Sequence, residues 1–157
     1  MFKTLQKYAT TLCLLAVVSP AFAQAPAAER AMNHALAKTA VDAAEASARS
    51  NGWNLTIVVT DEAGIPVMVQ RMDGASAGSW DYAMRKVTVV AATGLSSGEY
   101  GQKLQAGEVA EVENGVTFAG GVPVMRNGKM IGIIATSGAR AVEDEVVSLA
   151  GAAAIAD

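Results

Sequence analysis

The chain has 157 residues, 52% of them hydrophobic and 5% aromatic, with 12 Lys+Arg against 15 Asp+Glu and a single cysteine. That size fits one domain with one core. The acidic balance, with no basic stripe, excludes binding built on phosphate neutralisation, and the lone Cys13 excludes an internal disulfide framework.

Residues 1–23 read as a secretory signal peptide. Lys3 and Lys7 form the basic start, Leu12 to Val18 the apolar core, and Ala21-Phe22-Ala23 the cleavage site, with Gln24 as first mature residue. The apolar run is too short to span a bilayer. Cleavage near Ala23 removes two basic residues and no acidic one, leaving 10 basic against 15 acidic side chains, a net charge of −5. It also removes Cys13, so the mature chain carries no thiol. The expected location is the periplasm or the exterior. Residues 24–28 read as a short flexible tail, and 29–157 as a single domain.

From Glu29 to Ser50 an Ala-rich run of helix formers predicts the first helix, stopped by Asn51-Gly52. Trp53 to Thr60 alternates with period two. Asp61-Glu62-Ala63-Gly64 is turn chemistry, and Ile65 to Met72 completes an antiparallel hairpin whose Pro66 marks an edge. Ser79 is placed as the N-cap of a helix to about Thr93, with Trp80, Met84, Val87 and Ala91 on one face and Gly94 at its end. Ser96 or Ser97 caps a shorter helix to about Ala106.

A short extra strand is allowed near Val116–Phe118. Asn127-Gly128 between Val122–Arg126 and Lys129–Thr136 is a strong hairpin signal. Gly132 leaves room for another backbone or a ligand. A final helix follows Ser137-Gly138, with Glu143, Asp144 and Glu145 in its first turn and Val142, Val146, Leu149 and Ala153 as its expected buried face. The order α-β-β-α-α-β-β-α gives an α+β class.

Taken in order, Val58–Gly64, Arg71–Ala75, Arg85-Lys86, Ala119–Val124 and Gly138 through Glu145 resemble the GlcG/HbpS family of small haem-associated proteins. The resemblance covers nearly the whole mature chain. It implies an antiparallel four- to five-stranded sheet flanked by helices, assembled as a homo-oligomer. Secreted members bind haem, and some are described as haem-degrading or redox-sensing. Others accompany glycolate or diol metabolism.

On that resemblance His34, the single histidine, is the candidate iron ligand; a surface histidine without a role is the alternative. Lys86 and Arg71 are candidates for haem propionates or a small carboxylate. Thr117 is an oxygen donor in the region where the family has one, and Gly120-Gly121 can present backbone N–H groups to an anion or simply form a turn. The acidic E-x-x-E iron motif of some members is incomplete, since Asp81 is followed by Met84.

Three functions fit these residues. One is an exported haem-binding protein that sequesters haem, senses redox state or slowly degrades haem. Another is an enzyme acting on a hydroxy or oxo acid, with Lys86 and the Gly120-Gly121 amides polarising a carbonyl and Asp144 moving the proton. The last is a non-catalytic oligomeric accessory protein, with a membrane sensor as its partner.

Overall fold

A computed structural model describes residues 31–156. The stretches read as a signal peptide and as a 24–28 tail lie outside the described residues. Asn33 starts α1 (His34–Ser50) by accepting the Leu36 N–H on its side chain at 3.0 Å. The helix therefore begins later than Glu29. Gly52, at φ +72°, turns the chain out of it.

β1 (Thr56–Thr60) is buried along its whole length. The Asp61 carboxylate accepts the Ala63 and Ile65 N–H groups at 3.0 and 2.9 Å, which closes the turn into β2 (Pro66–Arg71). α2 (Ser79–Thr93) and α3 (Ser97–Gln105) follow. The cap of α2 is Gly78, and Ser79 is its first helical residue. β3 (Gly121–Arg126) and β4 (Lys129–Ser137) are joined by Asn127-Gly128, both at positive φ as a tight hairpin requires. α4 (Ala141–Ala153) ends the domain.

The four strands form one antiparallel sheet in the order β2-β1-β4-β3. No fifth strand precedes Gly120 among the described residues. There the chain runs against α3, where a Cβ on Gly101 would collide with the Thr117 carbonyl. Pro66 lies on edge strand β2 and Pro123 on edge strand β3. Each edge pairing carries a register shift, at Val59/Thr60 and at Val124/Met125.

Helices cover both faces. α1 and α4 bury Leu55, Ile57, Val59 and Ile134 on one side, while α2 buries Val58, Ile133 and Ala135 on the other. Gly132 admits close neighbours as its lack of a side chain predicts. The neighbours are the Thr60 carbonyl on the adjacent strand and Met32, whose N–H donates to the Ile131 carbonyl at 3.0 Å.

The last helix reverses expectation. Val142, Val146 and Leu149 are 65%, 49% and 52% exposed, and Ala153 is exposed too. The buried face is Asp144, Val147, Ser148, Gly151 and Ala152. Small residues win because α4 lies tight on α1: a Cβ on Gly151 would sit 2.8 Å from the Ala40 carbonyl oxygen. Trp80 on α2 is likewise exposed, at 43%, whereas Val87 is buried as expected.

Candidate functional site

Where α2, β4 and α4 meet, Lys86 from α2 points through the layer beside the sheet. Its Nζ donates to Asp144 Oδ2 at 2.8 Å and to the Thr136 carbonyl at 2.7 Å. The Lys86 side chain is fully buried and that of Asp144 is 3% exposed. A charged pair survives there because every close partner is polar and aimed: the other Asp144 oxygen accepts the Ala139 N–H at 3.0 Å.

The Phe118 ring lies over the ammonium, 5.2 Å from its centroid. Burial pushes the Lys86 ammonium below its usual value, against the pull of Asp144. Burial likewise pushes the Asp144 carboxyl up, opposed by Lys86.

Gly120 and Gly121 form the wall of this chamber. A Cβ at Gly120 would stand 2.5 Å from Lys86 Nζ and one at Gly121 2.9 Å from Lys86 Cβ. Their role is close approach. The Gly121 N–H is not free for an anion, since it donates to Ser97 Oγ at 2.9 Å, and Ser97 Oγ in turn donates to the Phe118 carbonyl at 2.9 Å. The Thr136 hydroxyl donates to the Asp144 carbonyl at 2.6 Å, and the Ser148 hydroxyl to the Gly120 carbonyl at 2.7 Å.

Lys86 is therefore no surface cation for a propionate, and Lys86, the Gly121 N–H and both Asp144 carboxylate oxygens are engaged by partners within the chain. The pair locks α2 and α4 onto the end of β4.

Two concavities flank Phe118. A groove of about 530 Å³ is lined by Leu104, Thr117, Phe118, Ala119, Ala141 and Val142, together with Gly98, Gly101, Gln102 and Gln105. A smaller cleft of about 280 Å³ is lined by Ser76, Ser79, Tyr82, Phe118, Ser137 and Asp144, with Gly138, Ala139 and Ala141. Tyr82 and Phe118 touch, their ring centroids 5.7 Å apart.

The remaining sequence candidates divide between these places. Thr117 is exposed in the groove wall. Arg71, exposed at the end of β2, donates to the Ala75 carbonyl at 2.7 Å and so holds the loop that carries Ser76. His34 is exposed in the first turn of α1. That helix enters beside Ile131, at the other end of β4 from Ser137, about 20 Å away at ~3.3 Å per residue.

One chain thus does not bring His34 to Thr117, Lys86 or Arg71. Sequence reading missed Ser97, Thr136, Ser137 and Ser148. The available signal was a run of hydroxyl residues, Thr136-Ser137, ending an apolar strand.

Residues 32–153 match the HbpS-like family, described as haem degrading protein HbpS-like. A 15.0 kDa uncharacterized protein of the dhaT-dhaS intergenic region of Citrobacter freundii is 29% identical over 120 residues, spanning 73% of this chain and 84% of its own. The crystal structure of a double mutant of Streptomyces reticuli HbpS superposes with a TM-score of 0.71 at 28% identity, covering 92% of this chain and 97% of that one. The crystal structure of a PduOC–haem complex superposes with a TM-score of 0.73 at 24% identity, covering 80% and 95%.

Proposed function

Because the chain belongs to the HbpS-like family, we propose that it is an exported haem-binding protein. The observation that carries the reading is the groove beside Phe118. Its volume of about 530 Å³ falls within the range of small-molecule sites. Leu104, Phe118, Ala119, Ala141 and Val142 give it an apolar wall suited to a flat macrocycle, and Thr117 adds an exposed hydroxyl. The residues present therefore fit haem in kind. A relative of the same fold crystallised with haem supports the same reading.

In the groove, Leu104, Phe118 and Val142 would hold the porphyrin and exclude water, and the Thr117 hydroxyl would be the oxygen donor available to the metal. Haem, when bound, supplies a redox-active iron. None of the groove residues titrates near neutrality, so holding haem fits the lining better than acid–base turnover. Sequestration is the use this favours over redox sensing or slow degradation. His34, on its exposed helix end, can meet only iron carried by another copy. Self-association through the apolar outer stripe of α4 belongs to this reading.

Haemin titrated into the mature protein tests it. A saturable Soret shift is expected, weakened by Thr117→Val and retained by His34→Ala. Loss in His34→Ala with retention in Thr117→Val moves the iron to a site between copies. No saturable shift rejects haem binding.

A further inference from the structure

We infer that Arg85 is a positioning residue of the groove, an inference that rests on the haem reading above. Arg85 lines neither concavity. It instead holds in place Thr117 and Phe118, the two residues that would meet the ligand.

The groove wall comes from an irregular segment. Between α3 and β3, residues 106–120 form neither helix nor strand. Connections longer than about 12–15 residues without secondary structure are uncommon in a compact domain, and many carry function. Such a segment keeps one shape only where side chains pin it. The Tyr100 hydroxyl, on a residue of α3 that is 1% exposed, accepts the Val112 N–H at 2.8 Å. Asn114 then turns the chain at φ +59°, a left-handed conformation that asparagine accepts more readily than most residues. At this turn two successive carbonyls accept from one guanidinium. Arg85 Nε donates to the Asn114 carbonyl at 3.1 Å, and Nη2 to the Gly115 carbonyl at 3.4 Å. Thr117 and Phe118 stand two and three residues beyond Gly115.

The same guanidinium acts a second time, through a ring. It lies over Tyr82, one turn earlier on α2, 5.8 Å from the ring centroid. Tyr82 in turn touches Phe118. Backbone and ring contacts from Arg85 thus converge on the same stretch of wall. Arg85 forms no ion pair among the described residues. Its N–H groups go to carbonyls and its flat face to an aromatic ring. That combination requires a planar fork, and a lysine ammonium supplies the charge without the fork.

Haemin titration of the mature protein, with amide NMR of the same protein before haemin is added, tests the assignment. Arg85→Gln and Arg85→Lys are each expected to weaken haemin binding by about fivefold or more. In the haemin-free protein, the amide shifts they cause should centre on residues 114–118. Thr117→Val, which weakens binding in the native background, should add less than about twofold in the Arg85→Gln background, because Thr117 has already lost its place. Tyr82→Leu, at an exposed position, breaks the ring contact alone. It should shift Phe118 and weaken haemin binding, and it decides the matter should the Arg85 variants not fold.

Native-like haemin binding by Arg85→Lys, when Arg85→Gln has lost it, would mean that the charge attracts the ligand directly and would overturn the inference. So would an equal Thr117→Val loss in both backgrounds, or amides at 114–118 that the Arg85 variants leave unmoved. A native protein with no saturable Soret shift rejects the haem reading by itself. The amide shifts at 114–118 then still decide whether Arg85 sets the wall: their presence supports it and their absence overturns it.

Discussion

Lys86 and Asp144, 58 residues apart in the chain, meet as an ion pair 2.8 Å long that water scarcely reaches. Taking away one partner strands the other charge in the interior. Lys86→Met and Asp144→Asn are each expected to cost about 3–5 kcal/mol of stability, read from urea unfolding. A Lys86→Met/Asp144→Asn double variant is expected to lose clearly less than the two single losses together. Additive losses would show that the pair is not coupled.

Protonation gives a second readout of the same pair. Burial lowers the folded-state pKa of Lys86 beneath its ordinary 10.5. Between the lowered value and 10.5 the unfolded chain holds the extra proton, so stability rises with pH across that window. Unfolding free energies of the native protein, measured relative to Lys86→Met from neutral pH up to 10.5, are expected to shift in favour of the native chain. A flat or falling difference contradicts the burial argument.

Gly120 has neither the space nor the backbone for a side chain. It sits at φ +120° with Lys86 Nζ, Asp144 Cβ and the Thr136 carbonyl oxygen all within 2.9 Å of a built Cβ. Gly120→Ala is expected to cost about 3 kcal/mol or more, adding strain to overpacking. Gly128 in the β3–β4 turn also has positive φ but meets nothing within 4 Å. Gly128→Ala is expected to cost only about 1 kcal/mol. Similar losses in thermal unfolding would mean that crowding at Gly120 is unimportant.

The outer stripe of α4 sets the fourth expectation. Val146 is 49% exposed, so Val146→Glu should change subunit stability by less than about 0.5 kcal/mol. Sedimentation velocity should nevertheless show a smaller assembly than the native protein. An unchanged sedimentation coefficient would remove this face from the interface.

Element order was legible because periodicity and turn chemistry are local. Asn51-Gly52, Asp61–Gly64 and Asn127-Gly128 each stop or turn the chain where they stand. Burial on α4 was not legible. Val142, Val146 and Leu149 make the stronger apolar stripe, yet the helix turns Asp144, Ser148 and Gly151 inward. Only the partner surfaces dictate that choice: α1 needs a glycine opposite Ala40, and Lys86 needs a counter-charge. For the same reason Lys86, Gly120 and Asp144 were marked singly, while their meeting depends on how α2 and α4 close on β4.

The prolines and register shifts on β2 and β3 bear on how copies of this chain can join. A sheet rich in valine and isoleucine invites a further strand at either border. Here each border strand lacks a donor at its proline, and each border pairing is kinked by a slipped residue. Growth by adding strands is blocked on both sides. Association of copies would then have to use helix surfaces, where it can end at a closed particle instead of extending into a fibre.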